Sequence, residues 1–100
     1  MPAKRNIWRI HPEVAKDIYD LPDQENRLLA LKKIKGIVTG SITGTPLENR
    51  SSPADLSDCK KVLFDSRQDI PPRFRIVYRQ VAKDIEIVLI ELLAVGERFG

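Results

Sequence analysis

The sequence has little of the chemistry on which most catalytic sites depend. Its 100 residues include one cysteine, Cys59, and one histidine, His11. A single cysteine excludes an internal disulfide and a cysteine-rich zinc site, and a single histidine excludes a site built on two imidazoles. A metal site would have to rely on carboxylates alone, so we expect neither a metal nor another cofactor. We expect Cys59 to be a buried thiol and His11, which precedes Pro12, to be a turn residue.

Long hydrophobic runs are also missing. The longest apolar stretch, residues 85–95, is interrupted by Glu86 and Glu91 and is about half of the roughly 20 residues that a membrane helix needs. Near the start, Lys4 and Arg5 are not followed by the apolar segment of a secretory signal peptide. We therefore expect no membrane span, no signal peptide and a cytoplasmic location.

Apolar residues make up 42% of the chain and charged residues 31%, which predicts one globular domain over residues 1–100. The net charge is only +3, but it is concentrated. Residues 60–79 contain six basic and two acidic side chains, more excess charge than the whole chain has. A basic segment of this kind favours a polyanionic partner such as a nucleic acid.

The first half of the sequence predicts one strand and two helices. Residues 7–10 favour a strand that ends before Pro12. Apolar residues from Val14 recur at helical spacing as far as Pro22, and a second helix, capped by Asp20 or Asp23, extends to Gly40. We expect these helices to form an antiparallel hairpin. The Gly-, Pro- and Ser-rich residues 40–57 predict an irregular segment, which is either a contact surface or a mobile loop.

Three strands follow, over residues 60–65, 73–81 and 85–93. They predict an antiparallel meander and, with the helices, an α+β fold. The third is apolar on both faces, as is typical of an interior strand. Because side chains alternate along a strand, Val62, Phe64, Phe74, Ile76 and Tyr78 are expected to point inward. The same alternation places Lys61, Arg73, Arg75 and Arg79 on the opposite face.

This row of cations suggests a surface for a phosphate backbone. Strand positions two apart are roughly 6–7 Å from each other, close to the spacing of successive phosphates in an extended single strand. Arginine can bind a phosphate through two parallel hydrogen bonds, and a lysine such as Lys61 offers a compact charge. The alternative, an ordinary solvated sheet face, stays open at this point.

The order of elements and several short strings resemble the RelE/ParE superfamily of bacterial toxins, over nearly the whole chain. The strings are Trp8-Arg9-Ile10, Ala15-Lys16-Asp17-Ile18, Gly44-Thr45-Pro46-Leu47, Asp55-Leu56-Ser57-Asp58-Cys59-Lys60-Lys61, Phe74-Arg75-Ile76-Val77-Tyr78-Arg79 and Ala94-Val95-Gly96-Glu97-Arg98. The most specific part is the aromatic-Arg-apolar-Val-Tyr strand, followed by an apolar strand that ends in Val-Gly-x-Arg.

The resemblance implies the toxin of a type II toxin–antitoxin system. RelE-like members cut messenger RNA in the ribosomal A site without a metal, whereas ParE-like members inhibit DNA gyrase. The string Val95-Gly96-Glu97-Arg98 is similar to the RelE-like RNases of the superfamily. This resemblance implies a ribosome-dependent endoribonuclease, that is, an mRNA interferase. Its implied partners are the ribosome, mRNA and an antitoxin with an acidic helix or strand. The alternatives are a gyrase-directed toxin and a catalytically weak relative that acts as an antitoxin-binding module.

Carried over by position, the resemblance implies catalytic roles for Lys61, Arg75 and Arg98. Lys60, Arg73 and Arg79 are the expected RNA-binding residues. The RNA's own 2′-hydroxyl would attack the adjacent phosphate while these cations position the backbone.

Two features depart from the family pattern. Leu63 lies where RelE-like enzymes tend to carry a second lysine. The chain stops at Gly100, before the segment in which the family commonly has a catalytic tyrosine and a closing C-terminal helix.

Overall fold

The computed structural model describes residues 5–47, 59–83 and 87–97. Within them the fold is α+β, as predicted, with two helices and a mostly antiparallel five-stranded sheet. The elements are β1 (Arg5–Ile10), α1 (Glu13–Tyr19), α2 (Gln24–Thr39), β2 (Thr45–Pro46), β3 (Cys59–Phe64), β4 (Phe74–Ala82) and β5 (Ile87–Glu97). None of the helices in these ranges is long and apolar enough to cross a bilayer.

The sheet has the strand order β1-β5-β4-β3-β2. β3, β4 and β5 are antiparallel neighbours, β2 adds a short antiparallel edge, and β1 pairs with β5 in parallel. The sequence predicted β1 but not its partner, because pairs such as Ile7 with Leu89 join opposite ends of the chain. β5 is an interior strand, which confirms the interpretation of its apolar sequence. The connection between β4 and β5 falls partly outside the described ranges.

Local sequence signals account for the helix ends. The His11 Nδ1 atom accepts a hydrogen bond from the backbone N–H of Glu13 at 3.2 Å, so His11 acts in the turn before α1. Asp23, rather than Asp20, caps α2 by accepting from the N–H of Asn26 at 2.8 Å. Gly40 ends α2 with a φ of 84°, a left-handed conformation that glycine adopts at little cost.

The helices cover one face of the sheet and form one hydrophobic core with it. Ile37 of α2, Ile76 of β4 and Leu92 of β5 are almost completely buried there. Tyr78 is buried as well, and its hydroxyl accepts a hydrogen bond from the N–H of Gly44 at 2.8 Å. A Cβ atom on Gly44 would lie 2.6 Å from the Lys61 carbonyl oxygen. Gly44 therefore lets the chain before β2 pack closely on β3 and β4.

A β-bulge shifts the register between β4 and β5. Val77 lies opposite Ala94 while Tyr78 lies opposite Leu92, so one extra residue of β5 is accommodated. Just beyond it, the backbone N–H of Val95 donates to Asp17 Oδ2 of α1 at 3.0 Å. The bulge and this hydrogen bond set the register of the end of β5, which the sequence pattern did not define.

Candidate nucleic-acid interface

Strand pairing brings three of the predicted cations together on the sheet face that points away from the helices. Lys61 of β3 lies opposite Val77 of β4. Arg75 and Arg79 are two residues before and after Val77, so both are diagonal neighbours of Lys61, with Cα atoms about 7–8 Å apart in such positions. We call Lys61, Arg75 and Arg79 the basic face. All three are half-buried.

Aliphatic side chains surround the basic face. Leu63 lies opposite Arg75, Val77 separates Arg75 from Arg79, and all of them are half-buried. A cation in a partly apolar setting is less well screened by water than one on a flexible surface chain. A phosphate placed against this face would therefore be held more strongly than by fully exposed lysines.

The two ends of the basic face differ in charge. Arg79 lies opposite Glu91 of β5, and the Glu91 Oε2 atom pairs with Arg9 Nη1 at 3.7 Å. The Nε atom of Arg79 is buried without a hydrogen-bond partner. None of the three cations forms an ion pair with a carboxylate of the described residues. Lys61 and Arg75 also have no carboxylate opposite them on the neighbouring strands. The uncompensated positive charge is thus centred on Lys61 and Arg75.

Arg73 lies just before β4 and forms an ion pair with Asp65. Its Nε atom donates to Asp65 Oδ2 at 2.8 Å and its Nη2 to Asp65 Oδ1 at 3.2 Å. The Asp65 side chain is only 1% exposed. The hydrogen bond from the Arg73 side chain, helped by the backbone N–H groups of Arg67 and Arg73, holds the pKa of Asp65 well below its usual range despite its burial. A direct RNA contact by Arg73 remains a prediction, but two of its guanidinium nitrogens already donate hydrogen bonds to Asp65.

The remaining predicted cations, and Arg67 of the same basic segment, do not join the basic face. Lys60 shares the face of Val62 and Phe64, because it is one residue out of phase with Lys61, and its Nζ lies 3.5 Å from Gln80 Oε1. Arg67 pairs with Asp69 in the β3–β4 connection at 2.7 Å. Arg98, the third predicted catalytic residue, lies outside the described residues.

The sequence analysis missed the Asp65–Arg73 pair, although a signal for it exists. Phe64 lies opposite Phe74, so the next residues toward the loop, Asp65 and Arg73, must also face each other. Recognising this needed the strand register, which periodicity alone does not supply. Within the ranges that the structure describes, no three metal-binding side chains lie close enough to hold an ion together.

Comparison of the chain with known protein families, with curated proteins and with solved structures finds no match in any of the three.

Proposed function

We propose that this chain is a RelE-like toxin of a type II toxin–antitoxin system, which cuts messenger RNA on the ribosome without a metal. The observation that carries the proposal is the position of Lys61 and Arg75, two half-buried cations on one sheet face with no described carboxylate to neutralise them. Positive charges that have no carboxylate partner within the protein attract an anionic partner from outside it.

The order of elements supports the same proposal. Along the chain, one strand and two helices are followed by the two-residue edge strand β2 and then by three antiparallel strands. This order agrees with the arrangement implied by the resemblance to the RelE/ParE superfamily. An acidic antitoxin segment is the complementary inhibitor of a basic face, and a cytoplasmic location follows from a ribosomal target.

The chemistry would be a transfer of the phosphoryl group within the RNA. The 2′-hydroxyl oxygen bonds to the adjacent phosphorus as the bond to the 5′ oxygen of the next nucleotide breaks. The hydroxyl proton leaves to solvent and the departing 5′ oxygen takes one up. Arg75 would hold two non-bridging oxygens, and Lys61 would stabilise the extra negative charge of the transition state. The contribution of the protein is positioning and electrostatic stabilisation.

The test is toeprinting in a translation extract programmed with a defined message. The proposal expects cuts within A-site codons only when ribosomes are present. Unchanged translation together with SOS induction and inhibited DNA supercoiling would instead identify a gyrase-directed toxin. Antitoxin binding without either effect would identify a binding module. The second and third results each overturn the nuclease proposal.

A further inference from the structure

Gly96 of β5 is a glycine that the fold does not require. Among the described residues only Gly40 has a positive φ, so any residue could adopt the backbone conformation of Gly96. A Cβ atom on Gly96 would meet no heavy atom of the described residues within 4 Å. Because glycine weakens the interior of a strand, a larger residue here would stabilise the sheet.

The space left by Gly96 lies beside the basic face. Gly96 is directly opposite Arg75 in the β4–β5 register and lies on the same side of the sheet. On its other flank Arg75 has Leu63. Among the described residues, Arg75 therefore has a side chain opposite it on one neighbouring strand and none on the other. A glycine inside a strand often marks a point where a ligand comes close to the backbone.

We propose that Gly96 determines access to Arg75. A phosphodiester of single-stranded nucleic acid lies over the Cα atom of Gly96, and the Arg75 guanidinium binds its two non-bridging oxygens. This inference rests on the proposed function and adds how the substrate is recognised. Charge-assisted contacts of this type need oxygen–nitrogen distances of about 2.7–2.9 Å, and branched side chains at position 96 would prevent that approach.

The proposal also defines the substrate class. Contacts with phosphate carry no base information, and the 2′-hydroxyl is the group by which proteins distinguish RNA from DNA. Single-stranded RNA and DNA of the same sequence should therefore bind at Gly96 and Arg75 with similar affinity, although only RNA has the 2′-hydroxyl needed for cleavage.

The experiment is fluorescence anisotropy with short labelled RNA and DNA oligonucleotides, at several salt concentrations, on the full chain and its variants. Gly96→Val should weaken binding of both oligonucleotides by about tenfold or more, the value of a charge-assisted contact. It should also reduce the slope of log affinity against log salt concentration by the value of about one phosphate contact. The Tm of this variant should be unchanged or higher. Gly96→Ala should weaken binding less. Ala82→Val, which adds bulk at an exposed position of β4 away from Arg75, is the matched control and should bind like the wild type.

A double variant separates a shared contact from two independent ones. If Gly96 acts through Arg75, Gly96→Val should cause little further loss in an Arg75→Ala background. Additive losses would overturn the proposal, as would wild-type affinity in Gly96→Val. A lower Tm in both Gly96→Ala and Gly96→Val would show that the glycine is structural and would also overturn it. RNA binding much tighter than DNA binding would overturn recognition by phosphate alone. If the wild-type chain binds neither oligonucleotide, the nucleic-acid function itself fails, an outcome distinct from the others.

Discussion

The β3–β4 connection and the basic face contain the same kinds of cation in opposite situations. In the connection, Arg67 pairs with Asp69 and Arg73 with the buried Asp65. On the basic face, Lys61 and Arg75 form no ion pair with a described carboxylate. The sequence shows one continuous basic segment, but the structure divides it into arginines that stabilise a loop and cations that remain available to a partner.

The physical reason for the difference is burial of the anion. The Asp65 carboxylate is withdrawn from water and needs donors, which Arg73 supplies through its side chain and its backbone N–H at 3.0 Å. Removing one partner of a buried charge is costly. Lys61 and Arg75 are half-buried, but no described carboxylate relies on them for hydrogen bonds. Replacing either residue should therefore change the free energy of unfolding little.

Arg75→Ala should reduce ribosome-dependent cleavage and cell killing by about 100-fold or more, the usual loss when one electrostatic contact with a transition state is removed. Its free energy of unfolding should change by no more than about 0.5 kcal/mol. Cleavage assays and urea unfolding measure the two quantities. Arg67→Ala is the matched control, since it removes an exposed loop arginine and should retain cleavage. An Arg75→Ala protein that unfolds would show that Arg75 is structural.

Arg73→Ala should show the opposite pattern. We expect the free energy of unfolding to fall by more than in Arg75→Ala, because the buried Asp65 carboxylate loses its side-chain donors. Oligonucleotide affinity should fall less than in Arg75→Ala. Arg73→Lys, which keeps the charge but not the planar fork, should recover only part of the stability. An affinity loss equal to that of Arg75→Ala would place Arg73 in the interface with the basic face.

Acid should weaken the connection and not the basic face. Hydrogen bonding lowers the pKa of Asp65 in the folded protein, so its stabilising contribution is complete above the usual Asp pKa of about 3.9. The contribution is lost as the pH falls from there through the folded-state pKa. Urea unfolding below about pH 4 should show this loss in the wild type and in Arg75→Ala. The loss should be smaller in Arg73→Ala, and equal losses in all three would contradict the assignment.

Lys60 and Lys61 provide the finest comparison, because neighbouring lysines lie on opposite faces of β3. Lys61→Ala should weaken oligonucleotide binding by about three- to tenfold and reduce the salt slope by about 0.7, the value of one single-strand phosphate contact. Lys60→Ala should change neither quantity measurably. Equal effects of the two variants would mean that the partner contacts both faces of the sheet, or that only net charge matters.

The sequence predicted the elements whose signals are local. The alternation of Phe74, Ile76 and Tyr78 identified the buried face of β4, and all three are buried. Helix ends near Asp23 and Gly40 also followed from local chemistry. The parallel pairing of β1 with β5 could not be predicted in this way, because it joins residues about 80 positions apart in the sequence and leaves no periodic signal. The β-bulge in β5 was missed for another reason: this strand is apolar on both faces, so its sequence has no alternation in which a shift of register could be recognised.

For the candidate site, the sequence was enough to show which cations can share a face. The two-residue period of a strand places Arg75 with Arg79 and separates Lys60 from Lys61 whatever the partner strand is. Which of these cations lack an acidic neighbour depends on how the strands and loops pack together. Charge pairing depends on distances across strands and loops, and these placed Asp65 on Arg73, Glu91 beside Arg79, and Gly96, with no side chain, beside Arg75. The row of cations that the sequence showed as uniform is therefore centred on Lys61 and Arg75.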